Sequence, residues 1–237
     1  MNANAPIRNT QAESDLIDRY DAAKSALAGS VAVSALRDNA LGQIKDKGLP
    51  HRRVEEYKYS DLRAFMKSAA PLATAADSSA VKGVLEASET FGDLDRFKIV
   101  VANGSFVTEL SDVDALAAEG VTVSNLTDAL SGDEGAQLLK SPKTGPNDGL
   151  VALNTAFVQG GVVIAVKVGA EVSKPLELVQ LATATGAQVV RNKITVGKGA
   201  KLRVLESFSG DTGAGEINTV FDYDVADNAS VAATRLI

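Results

Sequence analysis

A chain of 237 residues can hold one large or two modest domains around a substantial core. Hydrophobic residues make up 45% and charged residues 23%, and the net charge of −6 argues against a nucleic-acid partner, because phosphate binding rests on clustered Lys and Arg. Cysteine is absent and His51 is the only histidine, which excludes disulfides, thiolate metal sites, two-histidine metal sites and a Cys–His pair within the chain.

The N-terminus, MNANAPIRNTQAESD, has neither a basic n-region nor an apolar h-region, so it does not read as a signal peptide. No apolar run approaches the ~18 residues that span a bilayer. The expected setting is the cytoplasm, with no membrane contact. The first dozen residues are polar and predicted to fray. Leu16, Ile17, Tyr20, Ala23 and Leu27 then follow helical spacing over about 13–28. After Gly29 and Ser30, a second helical pattern carries Val33, Leu36, Ala40, Leu41 and Ile44 and stops at Gly48, with Pro50 just beyond. Two successive helices predict an amphipathic αα-hairpin.

Residues 49–66, LPHRRVEEYKYSDLRAFM, set four basic and three acidic residues around two tyrosines. A short helix is predicted at 61–67, with Ser60 as its N-cap and Asp61 at the positive end of its dipole. No familiar reaction needs this pattern, and loop charges are ordinarily solvated, so the stretch is expected to shape its domain or to dock a partner. A Ser–His–Asp triad would have to use His51, which lies in a polar loop beside Pro50 and Arg52.

Residues 69–79, rich in Ala, Ser and Thr, read as a connection. Apolar strands at 97–102 and 106–110 flank Asn103-Gly104, a strong hairpin signal. A helix at 113–119, a strand at 121–123 and a helix at 126–130 complete a small mixed α/β unit. The stretch 141–149, SPKTGPNDG, is the clearest linker, followed by a helix at 150–158.

Strands dominate from Gly160 onward. Residues 162–168 are apolar almost throughout, as in a strand buried on both faces. Val190, Asn192, Ile194 and Val196 share one face of the next run, and Ile217, Thr219, Phe221, Tyr223 and Val225 share a face of another. Three related corners, VGAEV, VGKGAKL and VADNASV, place Ala170, Ala200 and Ala229 at intervals of 30 and 29 residues. That period marks stacked coils; alone it leaves a β-helix and a β-sandwich open. The chain stops at Ile237 within a strand, so a longer natural protein is expected, and an exposed terminal rung could pair two copies into a homodimer.

Other patterns invite chemistry. Gly197-Lys198-Gly199 and Gly213-Ala214-Gly215 look like pieces of phosphate loops, yet no Walker A string occurs and turn glycines explain both. Asp93/Asp95, Asp112/Asp114 and Asp222/Asp224 are Asp-x-Asp pairs; on a strand, the last pair could bind a cation or act as acid and base. Arg191, Lys193, Lys198, Lys201 and Arg203 form a candidate basic patch for an acidic partner surface.

Within residues 49–66, Arg52, Arg53, Glu55, Glu56, Lys58, Tyr59, Ser60, Asp61, Leu62 and Arg63 resemble the signature RR-x-EE-[WY]-K-Y-[TS]-D-L-R of the SufB/SufD family of iron–sulfur cluster assembly scaffolds, in its SufD branch. Tyr57 stands where Trp is commoner, and FKIVVANGSF and ALNTAF resemble later family segments. The resemblance implies an α+β N-terminal region followed by the first rungs of a right-handed parallel β-helix. It divides the chain into 1–145, a helical hairpin plus a small α/β domain, and 146–237, the start of the β-helix. It implies a non-enzymatic scaffold that pairs with a SufB-type paralogue and a SufC-type ABC ATPase. Cluster and ATP are expected only at the level of that complex. The family's cluster-related positions fall outside these residues, so no catalytic, cofactor-binding or metal residue is assigned. The rival readings are a β-helix carbohydrate-active enzyme, disfavoured by the absence of Trp, and an assembly module unrelated to metals.

Overall fold

Helix α1 (Gln11–Ala23) opens with a capping box: the Glu13 amide donates to the Thr10 hydroxyl at 3.3 Å, and the Thr10 amide donates to the Glu13 carboxylate at 2.8 Å. Two amides are thereby satisfied, so the fraying predicted through residue 12 does not extend past Thr10. The computed structural model of the chain describes residues 9–88, 90–140, 148–210, 213 and 215–236. Helix α2 (Val31–Lys47) is capped by Ser30 and ends at Gly48, whose φ of +74° suits a residue without Cβ. The hairpin is present, but α2 packs chiefly on α8 (Gly149–Phe157). Leu16, Tyr20, Leu41, Ile44, Leu153 and Phe157 share that core. Burying a side chain such as Phe157 this completely contributes about 2 kcal/mol.

A 3-10 turn at Glu55–Tyr57 and the one-turn helix α3 (Leu62–Phe65) follow. Residues 69–77 form the expected connection and lead into helix α4 (Ser78–Ala87), in a stretch for which no element is predicted: Asp77 caps it, and Val81, Val84 and Leu85 form its single apolar stripe. Helices α5 (Val113–Ala118), α6 (Leu126–Ser131) and α7 (Gly135–Leu139) are short. Of the predicted linker, residues 141–147 lie outside the described residues, while Asp148 caps α8.

Among the described residues, nine strands form two sheets: β1 (Phe97–Ala102), β2 (Ser105–Phe106), β3 (Val121–Asn125), β4 (Val162–Val166), β5 (Leu176–Ala182), β6 (Ala187–Val196), β7 (Lys201–Gly210), β8 (Glu216–Val225) and β9 (Ser230–Leu236). One sheet runs β2-β1-β5-β7-β9 and the other β3-β4-β6-β8. Pairing is parallel except at β1–β2 and β3–β4. The fold is therefore α+β with mixed sheets, and strands from before and after position 145 share both of them. The Asn103-Gly104 turn forms the predicted hairpin, although β2 has only two residues before a 3-10 turn at Thr108–Leu110.

From β4 to β9, successive strands alternate between the sheets, so each pairs with the strand two places on: Val163 with Lys193, Ala187 with Glu216, Lys201 with Ser230. The three predicted corners stack. Gly169, Gly199 and Asn228, each just before its alanine, have φ of +69°, +70° and +58°. The Gly169 amide donates to the Lys198 carbonyl at 2.9 Å and the Gly199 amide to the Asp227 carbonyl at 3.0 Å, joining corner to corner.

The predicted apolar face of β6 fills the space between the sheets, with Ile99, Ile164, Leu178, Ile194 and Val204 at the centre, whereas of the predicted face of β8 only Phe221 and Tyr223 pack there and Ile217 and Val225 are exposed. Helices α1, α2 and α8 cover the start of the outer face of one sheet, and α4 covers the other. Strand β4 is not buried on both faces as expected: Ala165 is exposed, because the helical layer reaches only as far as Val163.

Candidate functional site

The charged stretch 49–66 lies between α2 and α8, and its residues divide into anchors and an exposed rim. Arg63 Nε sits 2.9 Å from Glu13 Oε1, and Arg63 Nη2 donates to Glu13 Oε2 at 3.0 Å. Glu13 is buried and also accepts from the Leu49 amide at 2.6 Å. Burial alone would raise its pKa, but the Thr10 and Leu49 amides and the Arg63 charge outweigh burial and hold the carboxyl below its ordinary range. The Tyr57 hydroxyl donates to Asp148 Oδ1 at 2.7 Å, at the cap of α8, and burial with that carboxylate pushes it up to about 12. Asp61, not the predicted Ser60, caps α3: its carboxylate accepts from the Ala64 amide at 3.0 Å, while Ser60 is exposed one residue too early.

Arg52, Arg53, Glu55, Glu56, Lys58 and Tyr59 face outward. His51 Nδ1 accepts from the Arg53 amide at 3.2 Å, which makes it part of the loop's own turn and not a member of a triad. Beside them is a cleft of about 300 Å³, lined by Ile44, Lys47, Leu49, Pro50, Val54 and Ala152, with Gly149 at the start of α8.

A second polar cluster lies beneath α8, where it crosses β6 and β8. Arg191 is fully buried; its Nε donates to Asn154 Oδ1 at 3.0 Å and Nη2 to Thr155 Oγ1 at 2.9 Å. Asn154 Nδ2 donates to the Val190 and Asn218 carbonyls at 2.8 and 3.1 Å. Arg37 Nη1 reaches the Ala156 carbonyl at 3.3 Å and Nη2 the Ala28 carbonyl at 2.9 Å, placing a cation on the negative end of α8. Burial pushes both guanidiniums down to about 10, partly offset for Arg191 by the Asp222 charge, so both remain cationic at neutral pH. An Arg19–Glu216 ion pair joins α1 to β8.

This cluster corrects the predicted basic patch. Arg191 is interior because α8 covers the first half of the outer face of β6. Lys193 pairs with Asp222 at 3.1 Å, Lys201 pairs with Glu171 at 3.2 Å, and Arg203 donates to the Ser173 carbonyl at 2.7 Å. Lys198 is exposed at a corner. The Asp222/Asp224 pair is also divided: Asp222 is engaged by Lys193, whereas Asp224 is exposed. Among the described residues, no group of three or more His, Cys, Asp or Glu is placed to hold a metal ion. Gly197-Lys198-Gly199 joins β6 to β7, and Gly213 and Gly215 lie between β7 and β8, while Ala214 lies outside the described residues. None of these glycines opens a helix.

Glu13, Asn154 and Asp148 are anchors that sequence reasoning missed. Their partners lie 36 to 91 positions away. The N-cap position of Asp148 and the Thr10-x-x-Glu13 capping box carry local signals, but neither reveals the distant partner.

A family model described as SufBD protein N-terminal region matches residues 10–178. A search of curated proteins finds no match.

Proposed function

The chain belongs to the SufB/SufD family of iron–sulfur cluster assembly proteins, and from that premise we propose that it is a SufD-like scaffold subunit, not catalytic by itself. The match through the helical layer, the charged stretch and the strands into β5 supports the family, and the resemblance of Arg52–Arg63 to the SufD signature is the observation that carries the SufD-like reading. The proposed partners are a SufB-type paralogue and a SufC-type ATPase, in a cytoplasmic complex where the nascent cluster is cargo and ATP is the ATPase's substrate. No helix among the described residues is long and apolar enough to cross a membrane. The alternating strands, the parallel pairing at intervals of about 29 residues and the stacked corners support a further assignment: the two sheets are the first rungs of a right-handed parallel β-helix.

The protein's part would be structural. The Arg19–Glu216 ion pair and the buried hydrogen bonds of Arg191 to α8 hold the helical layer on one sheet, and the sheets would offer a rigid surface for the paralogue. Anaerobic affinity purification of the full-length protein from its own cells, followed by mass spectrometry, tests the assignment. Recovery of an ABC-type ATPase together with a cysteine-bearing paralogue is the expected result. A purification that repeatedly brings down neither would overturn it.

A further inference from the structure

The charged stretch has an outer rim that the anchoring role leaves unused. Residues 45–67 hold seven Lys or Arg against four Asp or Glu, a local excess of +3, while the rest of the chain carries −9. Arg52 and Arg53 are exposed, with Asp61 the carboxylate that feels the Arg52 charge. Tyr59 is 88% exposed, with the Lys58 ammonium 5.4 Å above its ring, and Phe65 is 74% exposed. Beside this rim opens the cleft between α2, the loop and α8, walled by Ile44, Leu49, Pro50, Val54 and Ala152, with Lys47 also lining it. Its volume of about 300 Å³ is at the lower end for small-ligand pockets, suited to roughly one or two aliphatic side chains.

We propose that this face docks an acidic peptide segment of a partner protein, with an aliphatic side chain seated in the cleft and carboxylates meeting Arg52, Arg53 and Lys58. The local excess of positive charge attracts an acidic segment to this face, and the second basic run at 187–205 has its charges buried or engaged by Asp222, Glu171 and the Ser173 carbonyl at all but Lys198. The apolar walls select a peptide over a polyphosphate, which has nothing to place between Leu49 and Val54. Glu55 and Glu56 penalise a uniformly anionic strand and favour a ligand whose charges can be spaced around them. The loop itself is held rigid by Arg63, Tyr57 and Asp61, so little ordering cost accompanies docking. This inference does not rest on the cluster-assembly reading and can fail or succeed separately from it.

The test uses fluorescence anisotropy with the full chain and a labelled peptide, Glu-Asp-Glu-Leu-Leu-Glu-Asp-Glu. The expected result is saturable binding that weakens as salt rises. Arg52→Glu/Arg53→Glu is expected to weaken it by about tenfold, and so is replacement of the two peptide leucines by serine. Val54→Asp, which places a carboxylate in the cleft wall, serves as an independent second variant with the same expected loss. Lys201→Glu/Arg203→Glu, a charge reversal on the sheets, should leave binding unchanged, with circular dichroism confirming the fold of each variant. The proposal is overturned by absence of binding to the unaltered chain, by equal loss in the sheet variant, or by retention after both loop changes. It is likewise overturned if the serine peptide or a single-stranded oligonucleotide binds as tightly as the leucine peptide.

Discussion

The helical layer and the two-sheet stack solve the same problem by different means. The stack repeats itself: apolar side chains fill the space between the sheets, and backbone ladders at intervals of about 29 residues join each strand to the next circuit. The helical layer adds to its apolar core single polar anchors between residues far apart in sequence. Glu13 with Arg63, Tyr57 with Asp148, and Arg191 with Asn154 and Thr155 each fix one element against another. In the stack the backbone conformation recurs from corner to corner, and its own buried carboxylates, Glu177 with Ser207 and Glu206 with Tyr223, join strands that are already neighbours or next in sequence. In the layer the backbone is ordinary helix, and a few side chains carry the specificity.

The largest expected effect tests the anchors. Asn154→Leu keeps the volume but leaves the buried Arg191 Nε without its acceptor and frees the Val190 carbonyl. A cost of about 3 kcal/mol is expected for a buried bond to a charged group lost together with its neighbours. Urea unfolding followed by circular dichroism measures it. A change no larger than that of an ordinary surface substitution would show that α8 is held by its apolar face alone.

Glu13 is the next anchor, and its contribution depends on pH. Its carboxyl is held below the ordinary value of 4.5 in the folded protein. The stability it adds is therefore fully present above pH 4.5 and is lost as pH falls through the lowered folded value. Glu13→Gln should cost about 2 kcal/mol at neutral pH, because a neutral amide accepts more weakly from Leu49 and Arg63. The gap between variant and parent should close in acid. Urea midpoints measured across that range decide the matter, and a gap independent of pH would exclude the charge as the cause.

The same contrast explains how much could be read from the sequence. The repeating region was legible because its rules are local: the alternation in β6 and β8, the Asn103-Gly104 hairpin and the Ala170, Ala200 and Ala229 corners all follow from short-range backbone preferences. The helix stop at Gly48 belongs with them. The anchors were not legible, since nothing near Arg191 announces that α8, nearly 40 positions earlier, will cover it and remove it from the outer surface. Ser60 and Asp61 are both good capping residues, and tertiary contacts to Pro50 and Glu13 set the helix start one residue later. Helix α4 is absent from the sequence-based elements although Val81, Val84 and Leu85 keep helical spacing behind the Asp77 cap, so its signal was present in the sequence.

The corners supply the converse test, with a smaller effect. Gly199 has φ of +70°, and an added Cβ would meet no atom within 4 Å, so only backbone strain opposes Gly199→Ala. About 1 kcal/mol of destabilisation is expected from a non-glycine residue in the left-handed region. Asn228 already occupies the matching position at φ +58°, so Asn228→Gly should relieve that strain at the cost of a more flexible unfolded chain, a near-zero net change. Thermal unfolding of both variants against the parent separates the two accounts. If Gly199→Ala is neutral while Asn228→Gly destabilises, the Asn228 side chain, and not the left-handed turn, is what this corner needs, and the stack would then depend on single side chains as the helical layer does.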